Sequence, residues 1–122
     1  MNLQTAAQVL EAAGTDAPRL TAEALLAHVL GQTRTQVLAQ RAPALTPRQH
    51  TIFAALIQRA ARGEPLAYLT GRREFHGLDF AVDARVLVPR PETELLVDQA
   101  LAFLAARPPA AQRVLDVGTG SG

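Results

Sequence analysis

Residues 63–97 read GEPLAYLTGRREFHGLDFAVDARVLVPRPETELLV, and two changes of period inside them decide the fold. Residues 65–69 suit one short helix. After Gly71 the spacing changes: Phe75 is followed by His76-Gly77, and then Leu78, Phe80 and Val82 alternate with polar or small residues. Alternation on either side of a two-residue turn predicts a β-hairpin with a half-buried strand. Pro89 and Pro91, two apart, forbid a ladder or a helix interior, because proline fixes φ and lacks an N–H. Pro91 is instead placed to open a helix bearing Leu96, Val97, Ala100, Leu101 and Leu104, which ends at RPPAAQ, residues 107–112.

On the N-terminal side the period is helical from Leu3 to about Arg62. Leu3, Ala6, Ala7 and Leu10 share one face, as do Ala22, Leu25, Leu26 and Val29, and then Phe53, Leu56, Ile57 and Ala60. Gly14, Gly31 and Gly63 stand where left-handed C-terminal caps belong, and TPRQ at 46–49 supplies an N-cap, a proline at the first helical position and a capping-box glutamine. With a short helix at 34–40 and the one at 65–69, five helices form a bundle over residues 1–70.

On the C-terminal side, residues 113–117 form a short strand-like run into VGTGSG, so the expected order is helix, turn, strand and glycine loop, the opening of an α/β domain. Glycines let backbone approach a ligand closely and accept positive φ. Gly118 and Gly120 satisfy the first two positions of a dinucleotide G-x-G-x-x-G, whose third falls beyond residue 122, so the loop alone leaves a nicotinamide or flavin site open. Asp116 directly before it gives D-x-G-x-G-x-G, which resembles the first motif of Rossmann-like S-adenosylmethionine-dependent methyltransferases.

The composition is that of a globular protein: 122 residues, 48% hydrophobic, with a net charge of +1. All twelve basic residues are arginine and they are scattered, which argues against a basic face for nucleic acid. No apolar run approaches the roughly 20 residues of a membrane span, and the N-terminus lacks a signal-peptide pattern, so a cytoplasmic protein without membrane partners is expected. Without cysteine there is neither a disulfide framework nor a thiolate metal site. His28, His50 and His76 are far apart with no carboxylate at ligand spacing, so no metal site is expected and the histidines are expected at the surface or its boundary. Tyr68 and Phe75 are expected to pack rather than stack on substrate. No serine or threonine has a neighbouring histidine and acid, so nucleophilic hydrolysis has no support.

Residues 63–97 closely resemble the peptide chain release factor glutamine methyltransferases, the PrmC/HemK family. PRPETE at 89–94, set between hairpin and glycine loop, is the most specific part, and the likeness extends to VLDVGTGSG and more loosely to the N-terminal helices. The resemblance implies a helical substrate-recognition domain (1–70), a hairpin linker (71–90) and the start of a Rossmann-like methyltransferase domain (91–122). It also implies methyl transfer from S-adenosylmethionine to the side-chain amide of the Gly-Gly-Gln glutamine of class 1 release factors. Asp116, Gly118, Thr119, Gly120, Ser121 and Gly122 match the cofactor loop; Arg90 and Glu92 would touch the cofactor or substrate. Glu94 is an acid in the first helical turn, where it also suits the helix dipole.

One departure is large. The family holds its amide substrate with an Asn-Pro-Pro-Tyr motif downstream of the glycine loop, and these residues contain none, so no catalytic residue is assigned. The chain by itself is therefore expected to be an inactive recognition fragment. A stand-alone helical binding module and the start of a nucleotide-dependent oxidoreductase are the alternatives; Asp116 and PRPETE disfavour the second.

Overall fold

A computed structural model describes residues 1–40 and 43–122. The chain divides into two compact units, Met1–Thr70 and Gly71–Gly122.

The first unit is helical: α1 Leu3–Ala12, α2 Pro18–Leu30, α3 Arg34–Ala39, α4 Pro47–Ala61 and α5 Leu66–Thr70. Local chemistry sets the boundaries. Asn2 Oδ1 accepts the Thr5 N–H at 2.8 Å to start α1. Thr33 with Gln36, and Thr46 with Gln49, form reciprocal capping boxes at α3 and α4. At the other ends, Thr15, Gln32 and Glu64 donate their N–H groups to Leu10, Ala27 and Arg59 across Gly14, Gly31 and Gly63, all at positive φ. These are the expected glycine stops.

Helix α2 is the hub, packing against α1, α3, α4 and α5. Leu10, Leu25, Phe53 and Ile57 are the largest fully buried side chains, joined by Ala6, Ala22, Leu26, Val37, Leu56, Ala60 and Leu69. Small alanines at Ala6 and Ala22 let α1 and α2 approach while the large residues fill the centre. Glu23 is the buried charge of this core: its side chain is 4% exposed, and Arg19 Nε and Arg34 Nε lie 3.0 and 2.8 Å from its two carboxylate oxygens. Those bonds, the one from Arg34 foremost, hold its carboxyl below the ordinary 4.5 against the opposing effect of burial.

The second unit begins with strands β1 Arg72–Phe75 and β2 Leu78–Ala81, antiparallel, with Arg72 opposite Ala81 and Phe75 opposite Leu78. His76 and Gly77 close the turn at φ 50° and 74°, the double positive φ of a type I′ hairpin. Phe75 and Phe80 meet edge to face with centroids 6.2 Å apart, and Val82 is buried, whereas Leu78 is exposed. A tight turn at Pro91–Thr93 then leads into α6 Glu94–Ala105. Phe103 in the last turn of α6 lies under the Arg107 guanidinium, 3.9 Å from the ring centroid.

One expected element does not form. Residues 113–117 join no ladder: among the described residues the single sheet is the β1–β2 hairpin, and Val114, Leu115 and Val117 are 72, 87 and 85% exposed. A strand is defined by its neighbour, and this apolar run has none to pair with. No helix among the described residues is long and apolar enough to cross a membrane.

Candidate functional site

The glycine loop is shaped by backbone conformation rather than by crowding. Gly118, Gly120 and Gly122 have φ of 79°, 68° and 118°, and a Cβ at any of them would meet no atom within 4 Å. Glycine is needed there for its left-handed backbone, not for close packing. Gly122 donates its N–H to the Thr119 carbonyl at 3.3 Å. Among the described residues, the N–H groups of Gly118, Thr119, Gly120 and Ser121 donate to no backbone acceptor, and the Asp116 carboxylate is exposed and unpaired. The loop thus offers a run of free donors beside an acidic acceptor, a donor set that fits the polar part of a nucleoside-bearing ligand.

Arg90 and Glu92 lie upstream of that loop in the same unit. Arg90 has extended backbone (φ −91°, ψ 137°) ahead of the Pro91–Thr93 turn, and Glu92 falls within it. Both are exposed, and neither side chain makes a hydrogen bond or ion pair among the described residues. The structure does not tie them to Asp116.

What it does bring together had no local signal in the sequence. Glu94 Oε1 accepts the backbone N–H of His76 at 3.0 Å, and His76 Nε2 lies 2.9 Å from Asp98 Oδ1. His76 therefore has carboxylate partners, contrary to the expectation of an unaccompanied surface histidine. They are 18 and 22 residues away, and the fold of hairpin against α6 closes that distance. The Asp98 hydrogen bond first, and the charge of Glu94 as well, raise the imidazole above its ordinary 6.5. The i, i+4 spacing of Glu94 and Asp98 puts both on one face of α6, but it does not point to the hairpin as their partner.

The first unit carries a groove of about 920 Å³, lined among others by Leu3, Ala7, Leu26, Leu38, Leu45 and Phe53. Leu38 is exposed on its rim.

The profile of the PrmC N-terminal domain matches residues 2–71. The chain belongs to the PrmC N-terminal domain family. Similarity to PrmC relatives continues past that domain. A release factor glutamine methyltransferase of Nitratidesulfovibrio vulgaris is 46% identical over 120 residues, covering 98% of this chain and 40% of the relative. Those of Burkholderia pseudomallei and Escherichia coli are 50% and 49% identical, over 97% and 88% of this chain and 40% and 38% of their own lengths. The chain thus spans about 40% of the curated relatives it matches, and its PrmC N-terminal domain is the helical unit that holds the buried core.

Proposed function

We propose that this chain supplies the substrate-recognition and methyl-donor-approaching part of a release factor glutamine methyltransferase. In this reading residues 1–70 dock a class 1 release factor, 71–90 link, and 91–122 open a Rossmann-like domain. The observation that carries it is identity of 46% over 98% of the chain, running through hairpin, PRPETE and glycine loop together rather than through the helices alone.

Asp116 and the backbone of Gly118, Thr119, Gly120, Ser121 and Gly122 would hold S-adenosylmethionine, which when bound supplies an electrophilic methyl group. Arg90 and Glu92, whose side chains have no partner among the described residues, are assigned to the mouth of that site. A glutamine amide nitrogen is a poor nucleophile because its lone pair is delocalised into the carbonyl. Methylating it requires acceptors that hold its N–H groups and align the nitrogen with the methyl. No side chain in these residues is assigned to that task, so the chain by itself is proposed to be inactive.

The test has two arms. Calorimetry of this chain with S-adenosylmethionine is expected to show no saturable binding; micromolar binding would overturn the proposed inactivity. Continued to the length of its relatives, the chain is expected to methylate the Gly-Gly-Gln glutamine of a release factor and to lose that activity with Gly118→Val. For docking, residues 1–70 are expected to retain a release factor in a pull-down. Equal affinity of the longer enzyme with and without that segment would assign recognition elsewhere.

A further inference from the structure

The hairpin tip is fastened to the first turns of α6 by two bonds of different kind. One is fixed: the His76 backbone N–H donates to Glu94 Oε1 at 3.0 Å. The other can titrate: the imidazole Nε2 sits 2.9 Å from Asp98 Oδ1, with side-chain exposures of 35% and 61% leaving both in exchange with solvent. Glu94 and Asp98 are i and i+4 on α6, and two carboxylates at that spacing repel one another. An imidazolium against this pair of acids relieves the repulsion; a neutral imidazole retains at most the hydrogen bond. His76 stands at φ 50°, in the left-handed region that histidine, like asparagine and aspartate, enters more readily than other non-glycine residues.

We propose that His76 is a proton-operated latch, which in its charged form clamps the hairpin tip to Glu94 and Asp98 and in its neutral form lets the tip move against α6. The charged groups facing the imidazole are Glu94 and Asp98 on α6. On the hairpin, Glu74 and Asp79 are cross-strand partners behind the turn, with Asp79 already engaged by Arg72. Because the imidazole is raised above 6.5 in the folded chain, its contribution is fully present below that value and is lost as pH rises through the raised folded value. Since α6 follows directly on residues 89–93, the latch sets how freely the hairpin moves against the Arg90 and Glu92 segment. That consequence for catalysis rests on the function proposed above, whereas the latch itself does not.

A pH titration of the 122-residue chain by NMR tests it, following the His76 ring carbon-bound proton, the His76 amide shift and hydrogen exchange of the β1 and β2 amides. The ring and the His76 amide are expected to move with one midpoint, and hairpin exchange, corrected for intrinsic base catalysis, to quicken several-fold as the ring loses its proton. Asp98→Asn is expected to lower the ring midpoint. His76→Asn, which keeps a residue tolerant of positive φ, is expected to remove the pH dependence of corrected exchange. A ring midpoint unmoved by Asp98→Asn, or the same corrected exchange profile in His76→Asn as in the parent, would overturn the latch.

Discussion

Arg34 Nε lies 2.8 Å from Oε2 of Glu23, so the charge at the start of the six-residue helix α3 is satisfied inside α2. Glu23 is nearly fully buried while Arg34 is half exposed. The penalty for losing the pair therefore falls on the carboxylate. Arg34→Ala is expected to destabilise the helical unit by about 1–3 kcal/mol, the range for leaving a buried polar group under-satisfied. Arg19→Ala removes a more exposed partner and is expected to do less. Urea unfolding of both variants gives the comparison, and equal losses would show that the Arg34 bond is not the stronger one.

The same carboxylate gives the unit a pH dependence whose sign follows from its depressed titration. A group held below 4.5 when folded adds stability that is present above 4.5 and is lost as pH falls through the lower folded value. Glu23→Gln, which keeps the shape and cannot ionise, is expected to be less stable than the parent near neutrality. Its stability should also change less across the acid limb. Parallel acid limbs in the two proteins would place the sensitivity on another group.

Ala17 precedes Pro18 with φ 50° and ψ 58°, and no side chain caps the start of α2. An L-residue with a Cβ pays roughly 1–2 kcal/mol in this left-handed region. Ala17→Gly relieves that strain while adding unfolded-state freedom, a partial offset of about 0.4–1 kcal/mol. A net gain of about 0.5–1 kcal/mol in urea unfolding is expected. A loss would mean that the Ala17 methyl has a packing role larger than its strain.

How far the sequence could be read depended on the distance over which each feature is decided. Gly31 as a stop for α2, Thr46 with Gln49 as a start for α4, and the His76-Gly77 turn are each settled within five residues, so motif and period suffice. The buried faces of Leu10, Phe53 and Ile57 follow from the 3.6-residue repeat. Ala17 was invisible because nothing in alanine signals a left-handed backbone, and Glu23 because a polar residue on an apolar face is expected to point outward. The His76 contacts with Glu94 and Asp98 depend on where α6 returns against the hairpin, which no local pattern encodes. Residues 113–117 erred the other way: their composition is that of a strand, yet strand formation needs a partner edge. In the loop, positive φ at Gly118, Gly120 and Gly122 was legible from glycine alone, whereas the exposure of Arg90 and Glu92 was not.

The exposed run at 114–117 provides a further test of the proposed domain. Leu115 is 87% exposed, so Leu115→Ser should change the stability of this chain by less than about 0.5 kcal/mol, as surface substitutions do. If residues 113–117 become the first strand of a parallel sheet once the chain is continued to the length of its relatives, the same side chain is covered. The substitution then becomes a truncation of a packed core side chain that also leaves a hydroxyl buried, with an expected cost of about 2–5 kcal/mol. Urea unfolding of Leu115→Ser in the short and the continued chain measures the difference. A large loss only in the continued chain supports a buried strand there, and equal small losses in both would place these residues outside any sheet and remove the structural basis for a cofactor loop at Asp116.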